Sequence, residues 1–178
     1  ECNVQPKFLA GHSLGEYSAL VASDAIEFKD ALKLVKYRAE VMQKAVPEGV
    51  GAMAAILGMT DQEVVDACKD AEENEVVEAV NFNSPGQVVI AGNVLAVERA
   101  IEIAKSKGAK RAILLPVSVP SHCALMQKAS EELRAFLDTI SIHKPSINVI
   151  HNVDVMVHDD ANSIKDALSK QLCHPVRW

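Results

Sequence analysis

The amino-acid sequence predicts an α/β fold with an inserted subdomain, and three observations lead to that prediction. A short apolar segment, Lys7–Ala10, runs directly into a helical pattern over residues 14–22. Residues 50–118 alternate between strand-like and helix-like patterns, and residues 119–178 return to a mainly helical periodicity. The 178 residues are 49% hydrophobic and 24% charged, the balance of a globular chain that buries its own core.

The first part of the chain contains one predicted strand and two predicted helices. Lys7–Ala10 is apolar and ends at Gly11, which is typical of a short buried strand. Leu14–Ala22 follows as a helix. Asp30–Val46 is predicted as a second helix because its apolar residues keep to one face, and Pro47-Glu48-Gly49 ends it.

The segment from 50 to 118 has the element order β-α-β-β-α-β. Thr60 and Glu63 form a capping-box pattern before its first helix, and the turn-rich segment 83–86 separates its two central strands. The predicted elements are, in order, Ala52–Leu57, Asp61–Glu73, Val76–Phe82, Gln87–Ala91, Val94–Lys107 and Arg111–Val117. Since this order is the ferredoxin-like split pattern, we predict a ferredoxin-like small subdomain at 50–118 between two parts of a larger domain, 1–49 and 119–178.

The last part of the chain returns to the larger domain. We predict a helix at Ala124–Ile140, a strand at Ile147–His151 and a final helix at Ser163–Leu172. The strand at residues 8–10 needs more neighbouring strands than these elements supply. We therefore expect the chain to be an internal fragment of a longer protein.

Charge and hydropathy argue against two classes of partner. The formal net charge is −6, whereas a general nucleic-acid binder needs a clustered excess of Lys and Arg. One basic cluster, Lys105, Lys107, Lys110 and Arg111, is either a solvated helix end or a docking patch for an acidic partner. The longest nearly apolar run, Val50–Met59, has about half of the roughly 20 residues that a membrane span needs. We expect neither a nucleic-acid nor a membrane partner.

The cysteines indicate a reducing compartment. Cys2, Cys68, Cys123 and Cys173 show no C-x-x-C spacing and have apolar neighbours. Buried, reduced thiols are therefore a better interpretation than a disulfide framework or a zinc site. This predicts a cytoplasmic protein without a structural metal.

Residues 11–15, Gly-His-Ser-Leu-Gly, fit the pattern G-x-S-x-G between a predicted strand and a predicted helix. In that context the glycines permit a sharp turn that projects the Ser13 hydroxyl out of the sheet. The Leu14 amide lies at the start of the following helix, where backbone N–H groups and the helix dipole favour an oxyanion. Ser13 is thus a candidate nucleophile, and a glycine-punctuated helix N-cap is the alternative.

A serine nucleophile needs a base, and His122 is the best placed of six histidines. It follows a predicted strand and precedes an amphipathic helix, which puts it at a strand's carboxyl end, where α/β sites form. His12 neighbours the serine, where alternation points it away from a shared proton. The remaining four, His143, His151, His158 and His174, lie in polar or chain-end contexts. A solvated loop histidine is the alternative for His122.

Arg38 is the third candidate, because it lies at the border of the apolar stripe on the second predicted helix. One interpretation is an arginine that snorkels or pairs with Glu40 or a neighbouring helix. The other is a guanidinium that binds a substrate carboxylate through two parallel hydrogen bonds. The pattern alone leaves both open.

Four segments together resemble the malonyl-CoA:acyl carrier protein transacylases of bacterial type II fatty acid synthesis. They are residues 11–20 (GHSLGEYSAL), 81–92 (NFNSPGQVVIAG), 116–126 (PVSVPSHCALM) and, at the end of the chain, Gln171-Leu172 with Pro175-Val176-Arg177-Trp178. They occur in the family's order over the whole chain. The resemblance implies an α/β-hydrolase-like acyltransferase core with a ferredoxin-like insertion.

The resemblance also implies a role for each matching residue. Ser13 matches the acylated serine, His122 its general base, and Arg38 the arginine that binds the malonyl carboxylate. Gln171 matches the glutamine whose backbone carbonyl orients the histidine, in place of a triad carboxylate. His12 matches a histidine that lines the acyl pocket. The family's second oxyanion amide comes from a loop well before the nucleophile, which this chain starts too late to contain.

The implied activity is transfer of a malonyl group from malonyl-CoA to the phosphopantetheine thiol of acyl carrier protein, through a malonyl-serine. Malonyl-CoA and acyl carrier protein are then the expected partners, no metal or redox cofactor is expected, and we expect a monomer. Two other hypotheses stay open. A serine esterase or thioesterase predicts a carboxylate partner for the histidine, and a non-catalytic carrier-binding or scaffolding domain predicts an unreactive Ser13.

Overall fold

The computed structural model describes residues 6–117 and 119–178. Over these ranges the chain forms helices and strands in alternation, as an α/β protein. They are β1 (Phe8–Ala10), α1 (Leu14–Ala22), α2 (Phe28–Ala45), β2 (Gly51–Leu57), α3 (Asp61–Glu72), β3 (Val77–Ser84), β4 (Gln87–Asn93), α4 (Val94–Ser106), β5 (Arg111–Leu114), α5 (Gln127–Leu137), β6 (Asn148–Ile150), α6 (Ala161–Lys170) and β7 (Val176–Arg177).

The type of each predicted element is confirmed, and the differences are at the ends. The helix predicted at Ala124–Ile140 begins as a short 3₁₀ turn, continues as α5 and ends at Leu137. The strand predicted to reach Val117 stops at Leu114, because Pro116 has no N–H to offer to a sheet ladder. The structure adds β7, a two-residue strand that the sequence analysis missed.

A five-stranded sheet has the order β5-β2-β4-β3-β7. Its first four strands pair antiparallel, whereas β3 and β7 pair parallel. Helices α3 and α4 pack together and against the sheet, over a core of small and branched side chains. The linker predicted at 83–86 is a tighter hairpin, since β3 extends to Ser84 and Gly86 turns the chain at a φ of 77°.

The start of α3 shows how local sequence sets this structure. Thr60 Oγ1 accepts a hydrogen bond from the Glu63 backbone N–H, and the Glu63 carboxylate accepts one from the Thr60 N–H. The predicted capping box is therefore confirmed. Its hydrogen bonds lower the pKa of Glu63, the backbone bond from Thr60 contributing most.

The second body of the fold consists of the parallel pair β1 and β6 with helices α1, α2, α5 and α6. Its core is a separate cluster in which Leu20, Leu34, Leu133 and Leu168 are fully buried. Because β1 and β6 run in parallel, their carboxyl ends lie at the same edge. β7 pairs with β3, and the Arg177 N–H donates to the Asn152 carbonyl just beyond β6. The two bodies therefore meet beside that edge.

Two sequence predictions concern the chain as a whole. In the described ranges Cys68, Cys123 and Cys173 are buried free thiols, as predicted, and burial raises the pKa of Cys68 and Cys123 to about 12. The prediction for Cys2 lies outside the described residues. Among the helices of the described ranges, none has both the length and the apolar character that crossing a bilayer requires.

Candidate active site

Ser13 lies on a sharp turn between β1 and α1. It is the N-cap residue of α1, with φ 51° and ψ −104°, a backbone conformation that non-glycine residues rarely adopt. The strand-turn-helix context predicted for the G-x-S-x-G pattern is confirmed. The turn leaves Ser13 half-buried, with its hydroxyl facing side chains from two other parts of the chain, His122 and Arg38.

The two glycines of the motif are not equivalent in this turn. A Cβ at Gly11 would lie 2.0 Å from the backbone carbonyl of Gly15, whereas a Cβ at Gly15 meets nothing within 4 Å. The turn therefore depends on the two glycines unequally. Only Gly11 is required, because the end of β1 and the first turn of α1 approach too closely for a side chain.

This difference predicts a matched pair of substitutions in the full-length protein. Gly11→Ala should lower the free energy of unfolding by about 2–3 kcal/mol or more, since backbone must move to accept the methyl group. Gly15→Ala should leave it unchanged or raise it by up to about 1 kcal/mol, because alanine favours the helix over glycine. Denaturant unfolding of the two variants measures both effects. Equal losses would show that the close approach at Gly11 is not the reason for the motif.

His122 is hydrogen-bonded to Ser13. Its Nε2 lies 2.9 Å from Ser13 Oγ, and its Nδ1 lies 2.6 Å from the backbone carbonyl oxygen of Gln171. A carbonyl oxygen can only accept, so Nδ1 carries the ring proton and Nε2 is free to accept from the serine hydroxyl. The His122 backbone has φ 68° and its N–H donates to the Leu172 carbonyl, which fixes the ring between the two partners.

Burial keeps His122 neutral. The ring is nearly inaccessible, and loss of solvation is the main cause that lowers its pKa to about 4. The Gln171 carbonyl opposes this shift, and the positive charge of Arg38 adds to it. At neutral pH the imidazole is thus the unprotonated form that can remove a proton from Ser13.

Arg38 reaches Ser13 from α2. Its guanidinium Nη2 donates to Ser13 Oγ over 2.9 Å and to the Gln171 side-chain oxygen over 3.3 Å, and the residue is only 8% exposed. Its partners are thus Ser13 and Gln171 and not Glu40, whose carboxylate lies 3.9 Å from Lys36 Nζ. The guanidinium Nε is buried without a hydrogen-bond partner among the described residues. Arg38 therefore presents a desolvated positive charge at the Ser13 hydroxyl.

The remaining predicted residues surround Ser13 without sharing its proton. His12 is exposed, its Nε2 lies 2.8 Å from Asn83 Oδ1, and its ring packs edge-to-face against Trp178. The Leu14 backbone N–H, at the start of α1, has no acceptor within the described ranges, so it is available to an incoming oxyanion. The structure thus gathers the six predicted residues near the carboxyl end of β1: His12, Ser13, Leu14, Arg38, His122 and Gln171.

A second set of residues, not among those predicted from the sequence, lies at the same turn. Glu16, His151 and Asn152 are buried and lie directly behind Ser13, and Asn152 Oδ1 accepts a hydrogen bond from the Ser13 N–H over 2.7 Å. His151, predicted to lie in a polar context, has one, but it is fully buried, with its ring against Glu16. One signal was available: Asn152 follows the β6 strand, whose carboxyl end adjoins that of β1.

Sequence comparison identifies the family. A family model described as an acyl transferase domain matches residues 2–178. The chain belongs to this acyl transferase family. It is 57% identical over 175 residues to the malonyl CoA-acyl carrier protein transacylase of Haemophilus influenzae, and 56% identical over 173 residues to that of Escherichia coli. These alignments cover 98% and 97% of the chain but 56% of each relative, so the chain spans little more than half their length.

Solved structures agree with this family assignment. An acyl carrier protein S-malonyltransferase from Vibrio cholerae superposes with a TM-score of 0.97 at 59% identity, over 98% of this acyl transferase chain and 57% of that one. A malonyl-transacylase in complex with a holo type II PKS acyl-carrier protein superposes with a TM-score of 0.97 at 52% identity, over 98% and 57%. The arrangement of helices and strands described above is therefore that of acyl-carrier-protein malonyltransferases.

Proposed function

We propose that the full-length protein transfers a malonyl group from malonyl-CoA to the phosphopantetheine thiol of acyl carrier protein and so supplies fatty acid synthesis. The observation that carries the proposal is the Ser13 hydroxyl, which lies 2.9 Å from both a neutral histidine and a buried guanidinium. The names of the Haemophilus influenzae and Escherichia coli relatives, each more than half identical to the chain, support the same activity.

The reaction proceeds in two half-reactions through one covalent intermediate. His122 Nε2 takes the Ser13 proton while Oγ attacks the thioester carbon of malonyl-CoA, and the resulting oxyanion faces the Leu14 N–H. The carbon–sulfur bond then breaks, and the CoA sulfur leaves with the proton from His122. In the second half-reaction the carrier thiol gives its proton to His122 and attacks the malonyl-serine. The Ser13 oxygen leaves and regains the proton, so the enzyme returns to its initial state.

Arg38 selects the acyl group in this mechanism. Its guanidinium is held at Ser13 Oγ and at the Gln171 side chain. A malonyl group on Ser13 would bring its carboxylate beside this charge, where a charge-assisted pair forms away from bulk water. The carbonyl of Gln171 keeps His122 in the required tautomer, and His12 lines the approach to Ser13 from the side of Asn83.

The geometry favours this proposal over the two alternatives. An esterase of the α/β-hydrolase type calls for a carboxylate on the histidine, but His122 Nδ1 faces the neutral Gln171 carbonyl. A non-catalytic scaffold gives no reason for a strained serine within hydrogen-bond distance of a neutral imidazole.

The proposal extends to the organisation of the protein. We interpret 50–118 as a ferredoxin-like small subdomain, because the sheet order β5-β2-β4-β3 with helices α3 and α4 has that connectivity. Residues 1–49 and 119–178 are then parts of an α/β-hydrolase-like catalytic domain. The mechanism uses neither a metal nor a bound cofactor. Buried reduced thiols fit a cytoplasmic location, and we propose a monomer that acts on malonyl-CoA and acyl carrier protein.

A burst experiment on the full-length protein separates transfer from hydrolysis. Without acyl carrier protein, malonyl-CoA should release about one equivalent of CoA per enzyme and then slow, because the malonyl-serine waits for a thiol acceptor. Addition of holo acyl carrier protein should restore continuous CoA release. Continuous release without the carrier would identify a thioesterase, and no release in either case would support the scaffold alternative.

A further inference from the structure

The buried Glu16 side chain joins chain segments that are far apart in sequence. It lies in the first turn of α1, three residues after Ser13, and is fully inaccessible to solvent. Its Oε2 accepts two hydrogen bonds of 2.9 Å, from the Asn152 backbone N–H and from Gln171 Nε2. Its Oε1 lies 2.7 Å from His151 Nδ1. The mechanism above uses none of these contacts.

Gln171 connects Glu16 to the reacting groups. The amide nitrogen that donates to Glu16 also donates to the Ser13 carbonyl over 3.1 Å. The amide oxygen of the same side chain accepts from Arg38, and the backbone carbonyl accepts from His122. A change at the Gln171 side chain would therefore disturb Arg38 and the Ser13 carbonyl directly, in the same residue whose backbone carbonyl holds His122.

Asn152 provides a second connection, to the strained turn itself. Its side-chain oxygen accepts from the Ser13 N–H over 2.7 Å, and its side-chain nitrogen donates to the Gly11 carbonyl over 3.0 Å. These bonds span both sides of the turn and hold Ser13 at its positive φ. The Asn152 backbone is in turn fixed by Glu16.

We propose that Glu16 is a positioning residue, whose Oε2 holds Asn152 and Gln171 in the orientations that align Ser13, His122 and Arg38. The proposal rests on the function proposed above, but the alignment it describes can be measured without that function. Both donors at Oε2 are amide N–H groups that can only donate. The proposed role therefore requires a buried hydrogen-bond acceptor at the position of Glu16 Oε2.

This requirement distinguishes two substitutions of Glu16. Glu16→Gln keeps one oxygen, which can take the place of Oε2, and turns its NH₂ group toward His151. In this variant His151 Nδ1 can accept from the new NH₂ group if the ring proton moves to Nε2. This move breaks no hydrogen bond, because Nε2 has no partner among the described residues. Glu16→Ala removes the acceptor altogether and frees Gln171 and Asn152. A displacement on the order of 1 Å at reacting groups lowers rates by about a hundredfold.

The test uses the full-length protein and two measurements on folded material. The first is the single-turnover rate of Ser13 acylation by malonyl-CoA. The second is the downfield proton resonance of the His122 Nδ1–H···O=C bond to Gln171, assigned by its absence in His122→Ala. Ser130→Ala is the matched control, because it loses a buried 2.7 Å hydrogen bond to the Ser169 carbonyl without touching the site.

We expect Glu16→Ala to slow acylation by about 10- to 100-fold and to shift or abolish the resonance. Glu16→Gln should stay within about threefold of the wild type with the resonance retained, and Ser130→Ala should change neither readout. Wild-type values in Glu16→Ala overturn the proposal, as does a loss in Glu16→Gln equal to that in Glu16→Ala. If Glu16→Ala does not fold, Gln171→Leu can be used instead, because it removes the hydrogen bond between Gln171 Nε2 and Glu16 Oε2. An unchanged His122 resonance in Gln171→Leu would also contradict the proposal.

The two proposals can fail separately. The wild-type protein could fail to react with malonyl-CoA while its His122 resonance responds to Glu16→Ala and not to Ser130→Ala. That result would support the positioning role and contradict the proposed function. If the wild type is active and Glu16→Ala changes neither the His122 resonance nor the acylation rate, the proposed function stands and the positioning role is contradicted.

Discussion

Replacing His122 with alanine is expected to slow malonyl transfer by about 10²–10⁴-fold in the full-length protein. The ring is the only group within hydrogen-bond distance of Ser13 Oγ, among the described residues, that can accept the serine proton, since the other neighbour, Arg38, can only donate. Steady-state kcat/KM for transfer to holo acyl carrier protein measures the loss. His143→Ala, which changes a histidine outside the site, is the control and should match the wild type.

The pH dependence of the wild type provides a second readout for the same residue. Because burial lowers the pKa of His122 to about 4, the base stays unprotonated down to about pH 5. Activity should then change little between pH 7.5 and 5.5, whereas a base with the ordinary histidine pKa near 6.5 would lose about tenfold at pH 5.5. An acid limb centred near 6.5, or an alanine variant as active as the wild type, would remove His122 from the mechanism.

Replacing Arg38 with alanine is expected to lower kcat/KM for malonyl-CoA by about 10- to 100-fold and to spare or improve acetyl-CoA. The two thioesters differ by one carboxylate, which Ser13 and His122 cannot distinguish. A charge-assisted hydrogen bond contributes about 1.5–3 kcal/mol, and loss of the guanidinium also leaves the carboxylate without a partner in a partly desolvated site. Each 1.4 kcal/mol corresponds to about a factor of ten.

A second arginine variant controls for the general effect of losing a charged side chain. Arg99 is bonded to the Ala71 carbonyl and to Glu75, between α4 and the end of α3, where it makes no contact with Ser13. Arg99→Ala should therefore leave the ratio of malonyl to acetyl kcat/KM unchanged. Parallel losses for both thioesters in Arg38→Ala would show that Arg38 is structural and that another residue selects the substrate.

The parts of the site that depend on local sequence could be predicted. Ser13 was identifiable because the glycine pattern, the preceding strand and the following helix lie within a few residues of each other. His122 was identifiable because it follows a predicted strand and precedes a helix, although the strand itself ends at Leu114, well before His122. Its pairing with Ser13 required a contact across 109 residues. For Arg38 the helical pattern left two interpretations open, and only the packing of α2 against the turn favours one.

The burial of Glu16 behind Ser13 could not be predicted, for a physical reason. A glutamate in the first turn of a helix is ordinarily solvated and favoured there by the helix dipole, so the sequence gives no sign that Glu16 is buried. Its burial depends on donors supplied by Asn152 and Gln171, more than 130 residues away. β7 was missed because two residues after Pro175 show no periodicity that could indicate a strand.

Mass spectrometry of the full-length protein after mixing with malonyl-CoA tests the central claim most directly. The mechanism predicts a mass increase of one malonyl group, located on Ser13 by peptide mapping and absent from Ser13→Ala. Holo acyl carrier protein should remove the group and gain the same mass. An unmodified protein, or a malonyl group located on a residue other than Ser13, would contradict the account.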